Sequence, residues 1–333
     1  MKRCFNCMEE YEEEADCCPF CNYISYADKG IWLEPGIILQ GRYIVGTCRN
    51  ERESDLLYIG WDAMFSRKIL IQEFFPQSCA VRDGDMNLRV YDSKTELFEA
   101  GRHAFFQNGL KLITLDNSRN LLNVWSVFEE NNTVYMTMEY PGDITLGSIL
   151  EEKGRLSEKQ MLLILRELAE ALKAAHSCQV YHCQISPECC YVVGENSYKL
   201  GGFNASRYLC GDQKADRERL GNPSERSDVY GLAVLAGTLL TGRKDWENSI
   251  EEKKKQQLKK ICTGRITHTL MYSVNHNPEQ RPDSVETFCR QLWGEDICSE
   301  LPAKKNSLKK LIFRSVSLFL LLLVIIVIII YLK

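Results

Sequence analysis

Residues 316–332 are all aliphatic or Phe except Ser317 and Tyr331, and a run without a polar face has no place on the surface of a water-exposed domain. As a helix, about 17 such residues rise about 26 Å, close to a ~30 Å hydrocarbon core. Leu311, Ile312 and Phe313 lengthen the run, and Arg314 within that extension has a stem long enough to carry its charge to the interface. Lys304, Lys305, Lys309 and Lys310 precede the run and only Lys333 follows it. The positive-inside rule therefore puts everything before it on the cytoplasmic side. We expect a single C-terminal transmembrane α-helix at 311–332, a basic juxtamembrane linker at 301–310, and a tail-anchored, single-pass protein with membrane lipid as one partner. A buried core helix is the alternative, and uniform apolarity argues against it. The first 28 residues are polar and acidic, so no secretory signal is expected.

Fifteen cysteines are the unusual part of the composition. Four of them form two C-x-x-C pairs, Cys4/Cys7 and Cys18/Cys21, separated by a short acidic loop. Four thiolates at this spacing can converge tetrahedrally on one Zn²⁺. The segment resembles the small zinc ribbons of many bacterial proteins and covers residues 1–24. Cys17, next to Cys18, is a rival ligand, but Cys18 opens the Cys18-Pro19-Phe20-Cys21 knuckle. A redox role competes, without the βαβ context that a thioredoxin-like site needs. The other eleven cysteines are scattered, as reduced thiols in a cytosol are. Glu9, Glu10, Glu12, Glu13, Glu14 and Asp16 crowd the loop, and the chain carries a net charge of −4 with a pI near 5.9. Such a surface repels phosphate, so no nucleic-acid partner is expected and the ribbon reads as structural or protein-binding.

Between the two ends, strand-like segments come first and helices follow. Residues 42–46, 56–61, 68–73 and 133–140 read as strands. Ser157 and Gln160 form a capping box for a helix reaching His176, with Leu162, Leu165, Leu168 and Leu172 on one face. Residues 228–240 are apolar nearly all round, as in a buried central helix.

Within this pattern, Tyr181-His182-Cys183-Gln184-Ile185-Ser186-Pro187 resembles the protein-kinase catalytic loop, and Gly202-Phe203-Asn204 resembles D-F-G. Over 41–294 the chain is similar to bacterial serine/threonine protein kinases, with an N-lobe at about 41–140 and a C-lobe at about 141–294. Their third strand runs into K-E-Y-F-P, and here Gln72-Glu73-Phe74-Phe75-Pro76 stands in its place. The resemblance implies the scaffold: His182 and Phe203 at positions that stack, Asp228 bracing the loop, Met138-Glu139-Tyr140 as hinge, and Asn277-Pro278-Glu279-Gln280-Arg281-Pro282 as the late arginine motif. It also implies that the chemical positions are replaced. Gln72 takes the place of the phosphate lysine, Gln184 of the base, and Cys189 and Gly202 of the metal ligands. Asn50, Arg52 and Asp55 replace the glycines of the phosphate loop. Asn108 falls where the helix glutamate is expected, and no A-P-E follows Phe203. Arg281 thus loses its usual glutamate, for which Glu225 is the substitute considered.

An amide takes no proton from a hydroxyl, and glycine offers Mg²⁺ no ligand. The expectation is an α+β, two-lobed, kinase-like fold with an N-terminal zinc ribbon and a C-terminal transmembrane helix. It carries structural zinc, uses neither ATP nor Mg²⁺, and acts as a membrane-anchored pseudokinase that scaffolds an unidentified protein partner. The enzymatic alternative is an atypical kinase or nucleotide-dependent transferase using the same cleft, with Glu73 or Glu188 as replacement carboxylate. A zinc or redox sensor is a further alternative. His176, Cys178, His182, Cys183, Cys189 and Cys190 read as core residues rather than as a second metal site.

Overall fold

Two strands whose residues are buried on both faces organise the N-terminal half, and a sheet can hold such strands only if it is covered on both sides. They are β5 (Asp55–Asp62) and β6 (Arg67–Phe74), in a computed structural model that describes residues 1–24, 30–82, 86–115, 118–203 and 222–294. With β3 (Ile38–Leu39), β4 (Tyr43–Glu51), β9 (Val124–Glu130) and β10 (Thr133–Glu139) they form a six-stranded antiparallel sheet in the order β3-β4-β5-β6-β10-β9. Register sets its faces. Gln72 lies opposite Leu57 and Met136, and Leu70 opposite Ile59 and Met138, so these six side chains share one face. Helix α1 (Thr95–Ile113) covers that face, with Phe98 and Phe105 against Phe74 and Gly109 against Met136. A small hairpin of β7 (Ala80–Arg82) and β8 (Leu88–Val90) precedes α1.

The second half is helical. Thr145 caps α2 (Leu146–Lys153) and Ser157 caps α3 (Glu158–Ser177), each through a reciprocal capping box. The buried side of α3 is Met161, Ile164, Leu165, Leu168 and Leu172. Leu162, expected on that stripe, is only half-buried. A hairpin of β11 (Cys190–Gly194) and β12 (Ser197–Leu200) follows, then α4 (Glu225–Thr241), whose apolar circumference is buried almost throughout. Helices α5 (Glu251–Lys259), α6 (Gly264–Ser273) and α7 (Val285–Trp293) complete the lobe. Arg281 Nε donates to the Asn275 carbonyl and its guanidinium lies over Tyr230, whereas Glu225 accepts from Val285 N. Among the described residues Glu225 and Arg281 form no ion pair.

The cysteine-rich N-terminus is part of the same compact unit, Met1–Leu292. Strands β1 (Lys2–Arg3) and β2 (Glu10–Tyr11) pair, and the knuckle between them lies on β4. Thr47 N donates to the Phe5 carbonyl at 2.9 Å, Thr47 Oγ1 to Asn6 Oδ1 at 3.1 Å, and Arg49 to the Asn6 carbonyl. Arg3 stacks over Trp61 at 3.7 Å, and Lys68 pairs with Glu9. Gly46 makes the approach possible, since a Cβ there would stand 2.2 Å from Met8 Cε and 2.4 Å from the Phe5 oxygen.

Among the described residues no helix is long and apolar enough to cross a membrane. The expected linker at 301–310 and span at 311–332 lie outside the described residues, as do Asn204 and the segment to residue 221.

Candidate functional site

Between the two lobes, the loop from Tyr181 to Cys189 is held by a buried carboxylate. Asp228, in the first turn of α4, accepts from His182 N at 2.9 Å, from Cys183 N at 2.6 Å and shares a hydrogen with His176 Nε2 at 2.7 Å. Cys183 adopts φ +63°, a conformation a non-glycine residue holds only when its surroundings fix it. The His182 ring meets Phe203 with centroids 4.6 Å apart and bonds to the Gly201 carbonyl at 2.8 Å. The loop is tied down at the scaffold residues His182, Phe203 and Asp228.

Position by position, the chemistry differs from the family pattern. Gln184 Oε1 is a buried acceptor without a hydrogen-bond partner. Cys189 is fully buried, its Sγ accepting from Ser186 N at 3.2 Å. Burial opposes its ionisation, yet a hydrogen bond from Cys190 and the charges of His182 and Arg52 hold the thiol well below its usual range. Burial pushes the Cys190 thiol in the opposite direction. Gly202, with φ +76°, has no side chain, and Arg52 occupies the space one would need. Arg52 comes from the turn between β4 and β5 and donates to the Gly202 carbonyl at 3.3 Å.

Alternation along β6 separates Gln72 from Glu73. Glu73 is fully buried on the face away from α1, accepting from Tyr58 at 2.7 Å, Tyr135 at 2.9 Å and Arg82 at 2.7 Å. It is a structural ion-pair centre, and a role as replacement carboxylate in the cleft is excluded by where it points. Gln72 faces the other way among Leu57, Leu70, Met136 and Met138, and neither atom of its amide has a partner, Asn108 included. Asn108 is half-buried on α1. In the hinge, Glu139 accepts from Asn123 N at 3.1 Å and pairs with Lys199 of β12, tying the sheet to the second lobe. Glu188 is half-exposed, 3.9 Å from Lys244.

The second cluster lies in the cysteine-rich N-terminal segment. Thiol Sγ atoms of Cys4, Cys7, Cys18 and Cys21 are all within 4.8 Å of one another, with Cys4 to Cys21 and Cys7 to Cys18 at 3.6 Å. Zn–S bonds of about 2.3 Å in a tetrahedron place sulfurs about 3.8 Å apart, so the donor set suits zinc. Cys17 stands outside this set. Asn6 Nδ2 lies 3.6 Å from Cys21 Sγ, in position to orient a ligand thiolate.

Local sequence concealed two features. Tyr58, Tyr135 and Arg82 reach Glu73 from three strands, and nothing near any of them signals it. Arg52 carries a fainter sign, an arginine in the phosphate loop of a chain that also has glycine at 202.

Residues 94–311 match the family model of the protein kinase domain, beginning at α1. Serine/threonine-protein kinase PknL of Mycobacterium tuberculosis (strain ATCC 25618 / H37Rv) is 25% identical over 226 residues, 62% of this chain and 50% of PknL. Serine/threonine-protein kinase PrkC of Bacillus subtilis (strain 168) is 25% identical over 138 residues, 37% of this chain and 21% of PrkC. The chain thus spans half or less of the length of these relatives. Among solved structures, PpkA-294 in its apo form matches with TM-score 0.64 and 20% identity, over 79% of this chain and 100% of that chain. The PknI kinase domain of M. tuberculosis matches with TM-score 0.57 and 18% identity, over 78% and 98%. The fold is kinase-like and two-lobed. These matches correct two expectations, that the chain is no enzyme and that it takes neither ATP nor Mg²⁺. The family and the named relatives are those of serine/threonine kinases, a family that works on ATP with Mg²⁺. Motif positions read singly along the chain miss a cation that enters the cleft from a position assigned to glycine.

Proposed function

The chain belongs to the protein kinase family, and on that premise we propose that it is an atypical ATP-dependent serine/threonine protein kinase using the interlobe cleft. The observation that carries this reading is a set of buried polar atoms without partners, both amide atoms of Gln72 on the α1 face of β6 and Oε1 of Gln184 in the loop held by Asp228. Each such group left unfilled costs roughly 1–3 kcal/mol, and a polar ligand removes that cost. A cleft that shed its ligand would more economically be apolar. The donor set fits phosphate oxygens, with Arg52 as cation and Gln72 Nε2 as donor. It does not suit a hard cation at the family's two metal positions, where Cys189 offers sulfur and Gly202 offers nothing.

When bound, ATP supplies the phosphoryl group. Gln184 Oε1 accepts a hydrogen bond from the substrate hydroxyl and orients it; as the hydroxyl oxygen bonds to the γ-phosphorus and the bond to the departing ADP oxygen breaks, the hydroxyl proton passes to a non-bridging oxygen of the transferred phosphoryl group. Phosphoryl transfer passes through a loose transition state in which positioning and charge matter more than the base. The missing base still lowers the rate by ~10²–10⁴. Supplying the full chain with γ-labelled ATP and a generic protein substrate should therefore give slow label transfer to Ser or Thr, lowered further by Gln184→Leu. No label above the protein-free blank at saturating ATP would end this reading.

Two finer parts belong to the proposal. Cys4, Cys7, Cys18 and Cys21 hold one structural zinc, and residues 311–332 anchor the chain in a membrane. The acidic ribbon loop favours protein partners over nucleic acid.

A further inference from the structure

The turn between β4 and β5 sends a guanidinium into the cleft that the surrounding protein barely uses. The Arg52 side chain is 9% exposed, yet its contacts are one hydrogen bond of 3.3 Å to the Gly202 carbonyl and an ion pair of 3.9 Å with Asp55. A guanidinium carries five N–H donors in a planar fork, so most of that capacity is idle. Its entry depends on Gly202. A Cβ there would lie 2.8 Å from both Nη1 and Nη2, and φ +76° already disfavours any other residue. Glycine at 202 and the present position of the Arg52 guanidinium therefore fit one another, and a side chain at 202 would have to displace it. On β6, Gln72 presents an amide and no charge where the family motif has a lysine.

We propose that Arg52 holds the phosphate tail of the bound nucleoside triphosphate, doing from the β4–β5 turn what Gln72 cannot do from β6. This rests on reading the cleft as a nucleotide site. The planar fork suits bidentate contact with phosphate oxygens. A guanidinium serving only to close the cleft would be matched by more than one long hydrogen bond, to the Gly202 carbonyl at 3.3 Å, and a 3.9 Å ion pair with Asp55.

The full chain, zinc-loaded and in mild detergent, is titrated calorimetrically with ATP and, separately, with adenosine. The same titrations are run on Arg52→Met and Arg52→Lys, and thermal shift checks that each variant folds. Arg52→Met is expected to weaken ATP by about 10- to 100-fold, the range for a lost charged hydrogen bond, while adenosine is unchanged and Arg52→Lys, which keeps the charge but not the planar fork, recovers only part of the ATP affinity. ATP binding to folded Arg52→Met as tightly as to the unaltered chain, or more tightly, overturns the proposal and makes Arg52 a plug. Failure of the unaltered chain to bind either ligand overturns the nucleotide reading itself, and this inference with it.

Discussion

Gln72 and Glu73 are adjacent in sequence and serve different parts of the molecule, because neighbouring side chains of a strand point to opposite faces. Glu73 accepts hydrogen bonds from two tyrosines and an arginine that is itself 8% exposed. Glu73→Gln leaves the Arg82 charge buried without its partner, and breaking a buried pair in this way costs about 3–5 kcal/mol. The expected result is a marked fall in melting temperature, measured by calorimetry, with little change in ATP affinity for whatever fraction remains folded. Unaltered stability would mean that water reaches Arg82, and a selective loss of nucleotide binding would return Glu73 to the cleft. Gly202 illustrates a related point about restoring motifs. Gly202→Asp brings back the family residue but places its Cβ on the Arg52 guanidinium, so this change alone is expected to weaken ATP binding in the same titration.

At the scale of elements, strands and helices were legible and their docking was not. The segments 42–46, 56–61, 68–73 and 133–140 overlap β4, β5, β6 and β10, with only Arg42 and Tyr140 just outside them, because burial on a sheet leaves a local pattern of apolar residues. The box at Ser157 and Gln160 caps α3 for the same reason, both partners lying within one turn. The seat of the ribbon on β4 left no such trace, since Phe5 and Asn6 meet Thr47 and Arg49 across some forty residues of chain. The site followed the same division. Scaffold residues such as His182 and Asp228 keep their types, whereas Arg52 works from a position that a linear motif reserves for glycine. This docking gives the proposed zinc a consequence. Cys21 contacts Asn6, Asn6 bonds Thr47, and Thr47 lies on the strand that leads to Arg52. Metal removal by a strong chelator, or Cys21→Ser, is expected to release about one zinc per chain and to speed amide exchange across Tyr43–Glu51. Elemental analysis and exchange mass spectrometry read the two effects. Protein purified under reducing conditions that contains no zinc would remove the site, and zinc release without faster exchange in β4 would leave the ribbon energetically separate from the sheet.

For the molecule as a whole, the question is where a kinase-like unit spanning Met1–Leu292 works. Chain hydropathy answers through residues 311–332, proposed above as the anchor. Burying the Leu, Ile, Val and Phe residues of that stretch in hydrocarbon is favourable, by about 0.3–0.6 kcal/mol each at a helix centre. Lys304, Lys305, Lys309 and Lys310 precede it and Arg314 lies in its first turn, where each basic residue near an anionic leaflet adds about 1 kcal/mol. The first term favours insertion of the proposed anchor and the second a cytoplasmic orientation, which would hold the two-lobed unit within reach of ATP. Residues 308–333 fused to a soluble reporter are therefore expected to hold it in the membrane fraction through alkaline extraction, with the reporter open to protease from the cytoplasmic side. Leu322→Arg together with Ile326→Arg puts two charges at the centre of the span, at about 2.5–3.5 kcal/mol each, and should return the reporter to the soluble fraction. A reporter that is soluble without these substitutions would remove the anchor. One that stays bound through them but is released by high salt would instead attribute the attachment to the lysines, through surface charge that salt screens.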